Sequence, residues 1–168
     1  MGPRVDKLHA LLWFMPEPGS RVRPTIESLQ VLWSDGHDAV PDDLSHFGVL
    51  VWVLLTIDGA LGMDRFDLWV CSPSWLAEAY SQRPLPDPLE WMNGEADWMS
   101  YVMLMRSWDE DLLRQRIDAL CEEHASSTWP ITALRLNRYM LWEYDYRFDA
   151  FLGEHPDKPL PRRTREAR

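Results

Sequence analysis

The sequence predicts a single α+β domain: a mostly antiparallel four-stranded sheet with helices packed on one face. Two observations lead there. Strand-like runs with apolar residues at every second position fill the first half, and helical apolar stripes fill the second. Glycine- and proline-bearing turns separate the early runs, as hairpins require. A chain of 168 residues is long enough to bury one core.

The first strand is expected in TIESLQVLW, where Leu29, Val31 and Trp33 alternate with Ser28, Gln30 and Leu32. SDGHDAVPDD follows as turn and loop. In HFGVLVWVLLTI both alternating sets are apolar: Phe47, Val49, Val51, Val53 and Leu55 against Leu50, Trp52 and Leu54. That pattern suits an interior strand. DGALGMD makes a hairpin connection to a third strand, RFDLWVC, with Phe66, Leu68 and Val70 on one face. Ser72 is then placed to cap a short helix with Pro73 at its first position, where a missing N–H costs nothing. After a long Pro-rich connection, SYVMLMRS predicts a fourth strand. Ser107 and Glu110 have capping-box spacing. The helix they announce carries Leu112, Leu113, Ile117, Leu120 and Cys121 in one stripe. A last helix starting near Thr128 carries Trp129, Ala133, Leu136 and Met140, and WEYDYRFD closes the body.

Residues 1–23 read as an N-terminal extension and linker, because MPEPGSRVRP is rich in turn formers. Residues 24–150 form the domain, and 151–168 read as a basic, Pro-rich disordered tail. LHALLWFMP is too short for a signal sequence with its cleavage site, and no apolar run approaches a membrane span. Two cysteines make no disulfide scaffold and fit a reducing compartment. A cytoplasmic protein without a membrane partner is expected.

The formal net charge is -10. Phosphate neutralisation needs the opposite sign, so a nucleic-acid partner is not expected. A basic protein is the partner such a surface attracts, a nuclease-type protein among them. Ten tryptophans favour a core or an interface rich in large rings.

Catalytic chemistry has one opening in the residues. Cys71 ends a strand just before a helix N-terminus, where a dipole stabilises a thiolate. It would need a base, and spacing places neither His37 nor His46 beside it. The plainer reading is a small buried residue, and Cys121 sits on an apolar stripe. Asp109, Glu110 and Asp111 fall in a first helical turn, where carboxylates answer the dipole without any catalytic role. The histidines lack metal-ligand spacing, and no phosphate loop or nucleophile motif occurs, so neither metal nor cofactor is expected. WEYDYRFD mixes aromatic rings with charge, which suits either a binding surface or a segment packed on the sheet.

The ordered series Pro41-Asp42-Asp43, His46-Phe47-Gly48, Phe66-Asp67 and Val70-Cys71-Ser72-Pro73-Ser74-Trp75-Leu76 resembles the immunity protein 8 family of bacterial polymorphic toxin systems. Thr128-Trp129, Leu136-Asn137-Arg138 and Trp142-Glu143-Tyr144-Asp145-Tyr146 match that family's C-terminal pattern, with the closing motif one residue short. The resemblance covers roughly Thr25 to Phe148. It implies a non-enzymatic inhibitor that binds one cognate toxin domain and needs no cofactor. On that reading Phe66, Asp67, Cys71, Ser72, Pro73, Trp75, Leu76, Trp129 and Trp142 are structural motif residues. Glu143, Asp145 and Tyr146 are the first choice for toxin contacts, with Asp42, Asp43, Glu95 and Asp97 second. Two other readings stand beside it: a small thiol-dependent enzyme using Cys71, and a general adaptor whose WEYDY segment binds a peptide.

Overall fold

The computed structural model describes residues 17–32, 40–60, 62–81 and 100–144. The elements run β1 (Pro24–Leu32), β2 (Gly48–Ile57), β3 (Asp64–Cys71), α1 (Pro73–Ser81), β4 (Val102–Leu104), α2 (Glu110–His124), α3 (Trp129–Leu136) and β5 (Leu141–Trp142). This is an α+β domain with a mostly antiparallel sheet in the order β1-β2-β3-β4. The expected fourth strand runs parallel to β3, pairing Trp69 with Val102 and Cys71 with Leu104. A parallel partner requires a crossover, and α1 lies in the connection that makes it. A fifth strand adds to the four expected: β5 pairs Trp142 with Phe66 and Leu141 with Asp67. The far edge of β3 is therefore shared, with β5 on its first half and β4 on its last.

β2 sits between β1 and β3, as its two apolar faces required. Val49, Val51, Val53 and Leu55 are fully buried on one face, with Phe66, Leu68 and Val70 of β3 beside them. β1 joins that face through a bulge between Ile26 and Ser28. One extra residue there switches the side-chain parity, so Ile26, Leu29 and Val31 all pack against the same core. Gly59 turns the β2–β3 hairpin at φ +77, a conformation that other residues adopt with strain.

α2 and α3 cover this core face. Leu113, Ile117 and Cys121 come from α2, and Trp129, Ala133 and Leu136 from α3. Each fully buried large side chain contributes roughly 1.5–3 kcal/mol of transfer free energy. The one-sided helix layer holds for α2 and α3 only. In α1, Trp75, Leu76 and Ala79 pack against Trp69, Cys71 and Leu50, whose side chains point the other way from β2 and β3. A short apolar stripe does not encode which face of a sheet it will cover.

The expected capping box at Ser107 is corrected. Asp109 caps α2, its carboxylate accepting the Leu112 N–H at 2.9 Å, while Ser107 stays exposed. Trp108 accounts for the later start. It is buried edge-on against Phe47, with ring centroids 5.6 Å apart, and its N–H donates to the Leu44 carbonyl at 2.7 Å. The chain turns helical only after that anchor. Glu110 pairs instead with Arg114 one turn on, at 3.0 Å. α3 ends at Leu136, so Met140, though buried, lies past the helix.

Packing reaches Val22, two residues before β1. Val22 is buried and its N–H donates to the Ser126 carbonyl. Arg21 donates to the Ala125 carbonyl at 2.9 Å, satisfying an acceptor past the end of α2. Arg23 pairs with Glu122 at 2.7 Å.

Candidate functional site

Two junctions gather the motif residues. The first joins the start of β2 to the start of α1. Ser72 is fully buried, and its hydroxyl oxygen accepts two backbone N–H bonds, from Phe47 and from Trp75, each at 3.2 Å. Its remaining capacity meets the Ser74 hydroxyl at 3.1 Å. The Ser72 N–H donates to the Phe47 carbonyl at 2.8 Å. The cap expected at Ser72, with Pro73 as first helical residue, is present, and the same oxygen also holds the neighbouring strand.

Gly48 lies beside this oxygen, opposite Cys71 in the ladder. A Cβ there would drive into the Trp75 indole. Glycine is thus what lets Trp75 lie flat on the strand, tilted against Trp69 at 5.7 Å. Gly48→Ala is expected to cost about 1–3 kcal/mol by overpacking. In a Trp75→Ala background the same change should be near neutral. Denaturant unfolding of the four proteins checks this, and additive effects would refute the contact as the cause.

Cys71 belongs to this junction as packing. It is fully buried, and burial pushes its thiol up to about 12, away from what a nucleophile needs. His46 turns elsewhere: Nδ1 meets the Ser74 hydroxyl at 3.2 Å and Nε2 meets Glu78 at 3.1 Å, tying the loop before β2 to α1. His37 lies outside the described residues. Cys121 is likewise buried and pushed up to about 12, chiefly by desolvation. Both thiols should resist alkylation by iodoacetamide in the native protein at pH 8 and react after unfolding. Fast native labelling would reopen the thiol reading. Among the described residues, no three His, Cys, Asp or Glu side chains are grouped to hold a metal ion.

The second junction draws the C-terminal motif onto β3. Asp64 is fully buried, and its Oδ2 accepts the indole N–H groups of Trp129 at 2.8 Å and Trp142 at 2.9 Å. Its Oδ1 has no hydrogen-bond partner among the described residues. Desolvation outweighs both indole bonds and raises the carboxyl to about 7. Phe66 stacks on Trp142 at 6.3 Å and meets Trp129 edge-on at 6.2 Å. Asn137 accepts the Trp142 N–H at 2.8 Å. On the opposite face, Asp67 pairs with Arg65 at 3.0 Å, and Arg65 lies over the Trp52 ring at 4.7 Å. Burial raises the Asp67 carboxyl, and the Arg65 charge opposes that rise.

The expected toxin contacts fall in different settings. Glu143 is half-buried. Its carboxylate accepts the Arg65 N–H at 2.7 Å, and its own N–H donates to the Arg65 carbonyl at 3.1 Å. Its side chain thus carries a backbone role. Asp42 and Asp43 are exposed on the loop before β2. Asp43 accepts the Ser45 hydroxyl at 2.7 Å and N–H at 2.8 Å, bonds that hold its carboxyl below the usual range. Glu95, Asp97, Asp145 and Tyr146 lie outside the described residues, as does Trp33.

Sequence reasoning passed over Asp64 as a functional part of the fold. A signal was present: Asp64 shares the inward parity of Phe66, Leu68 and Val70, and buried tryptophans need acceptors. It also passed over a pocket of about 310 Å³ between β4, α2 and the end of α3. Arg116 and Arg138 both line it.

No helix among the described residues is long and apolar enough to cross a membrane. No curated protein and no solved structure matches the chain. A family model does match, over residues 25–146, and its span takes in both junctions. That match, covering most of the chain, shows that it belongs to the immunity protein 8 family.

Proposed function

We propose that this protein neutralises a cognate polymorphic toxin by binding its toxin domain, without catalysis, in the cytoplasm of the producing or a neighbouring cell. The observation that carries this reading is the family match over residues 25–146. The net charge of -10 supports a basic, nuclease-type toxin domain as the partner, since opposite charge speeds encounter. It speaks equally against a nucleic-acid partner. The binding unit of this reading is residues 24–150, flanked by an extension at 1–23 and a basic tail at 151–168.

Acidic side chains supply most of the contacts in this reading: Glu143 and Asp145 with Tyr146 first, then Asp42, Asp43, Glu95 and Asp97. Asp42 is the cleanest probe, because it is exposed and its loop is held by the neighbouring Asp43 instead. Reversal at Glu143 would also disturb Arg65, so its stability must be measured alongside its affinity.

Co-expression with the toxin domains encoded near its gene tests the proposal. Rescue of growth by the intact protein is the expected result. Failure to rescue cells from every such domain would end it.

A further inference from the structure

We propose that the pocket between β4, α2 and the end of α3 is the subsite that receives a carboxylate-bearing side chain of the toxin; this rests on the neutralisation reading above. The cavity holds about 310 Å³, room for a single side chain. Its floor is apolar, with Leu68, Ile117 and Met140 all buried in the core. Its rim carries two exposed guanidinium groups, Arg116 from α2 and Arg138 from just past α3.

Those two arginines differ from several others in the chain. Arg23, Arg65 and Arg114 each pair with a carboxylate. Neither Arg116 nor Arg138 makes an ion pair among the described residues. In a protein of net charge -10, two cations at one cavity stand without an ion-pair partner among the described residues. An apolar floor below two planar, fork-shaped donors suits a ligand with a hydrocarbon stem and a carboxylate head.

The surroundings favour a protein side chain over a free acid. Tyr139, on the rim, is 46% exposed. Exposed tyrosine beside arginine is the composition of interface centres. Tyr101, also lining the cavity, sits at φ 61, a left-handed conformation rare for a bulky residue. Its carbonyl accepts the Trp69 N–H at 2.9 Å, which ties that side of the rim to β3. The acidic surface attracts basic toxins in general. A site that demands one correctly placed carboxylate distinguishes among them.

The test uses the full chain and the toxin domain encoded beside its gene, with affinity measured by calorimetry. Arg116→Glu, Arg138→Glu and the double variant are compared with Arg135→Glu, an exposed α3 arginine outside the pocket lining. Thermal unfolding first establishes that each variant is folded. The double variant is expected to lose affinity by about 100-fold, and Arg135→Glu by less than about threefold. Phenylacetate serves as a second probe: it should weaken toxin binding by the wild type and leave the double variant unaffected.

If the wild type binds the toxin domain and the double variant binds it within about twofold, the pocket proposal is overturned while the inhibitor reading stands. The pocket proposal also falls if Arg135→Glu loses as much as the double variant, since net charge would then be the cause. If the wild type itself does not bind, the inhibitor reading falls and takes this one with it.

Discussion

Asp64→Ala is expected to destabilise the protein by roughly 2–6 kcal/mol at pH 5, because it strands two buried indole N–H groups at about 1–3 kcal/mol each. The penalty should shrink as pH rises. The Asp64 carboxyl lies at about 7 in the folded protein against 3.8 when unperturbed. The folded state therefore binds the proton more tightly than the unfolded chain does. Stability from this group is fully present below pH 3.8 and is lost as pH rises through about 7. The total loss is on the order of 4 kcal/mol. The alanine variant has nothing to titrate there, so its deficit against the wild type narrows between pH 5 and pH 8.

Asp64→Asn separates charge from hydrogen bonding. Its amide oxygen can take the place of Oδ2 and accept both indoles, and it stays neutral at every pH. The wild-type minus Asn difference in unfolding free energy should fall by roughly 2–3 kcal/mol from pH 5 to pH 8, because each pH unit between 5 and the folded value of about 7 is worth about 1.36 kcal/mol. Urea unfolding at four pH values measures it. A difference that stays flat would mean that Asp64 titrates normally and that its burial carries no such cost.

The expectations that held were local ones. Alternation in Phe47–Leu55 specified an interior strand because a two-faced apolar run is stable only when both faces are covered. Ser72-Pro73 specified a helix start because the cap needs only the next three residues. What escaped were features assembled from distant segments. Asp64 takes its partners from positions 65 and 78 residues away; its parity with Phe66 signals burial, but not which tryptophans it would meet. β4 was expected as a strand, but its parallel pairing with β3 was not, and β5, two residues long, is too short to show a period; both pair along the edge that β3 offers. The capping box at Ser107 had the right spacing, yet the burial of Trp108 overrode it. Among the toxin contacts, Glu143 reads as surface charge in WEYDY, but its carboxylate extends the β3–β5 pairing through the Arg65 N–H.

Ser72 carries the other large expected effect. Ser72→Ala removes the acceptor shared by Phe47 and Trp75 and leaves two backbone N–H groups unpaired, Phe47's in a fully buried setting. A lost cap costs about 1 kcal/mol and an orphaned buried donor about 1–3 kcal/mol, so roughly 2–4 kcal/mol in all. Ser72→Thr keeps the oxygen and should recover most of it. Hydrogen exchange gives the finer reading: the Phe47 and Trp75 amides should lose protection first in the alanine variant, because α1 can lift from Trp69 and Cys71 without opening the α2–α3 core. Neutralisation should follow stability across Ser72→Ala, Ser72→Thr and Cys71→Ser, failing only where the folded fraction does. A threonine variant with wild-type stability but no neutralisation would place this junction in the toxin interface, and the motif residues around it would then be contacts as well as structure.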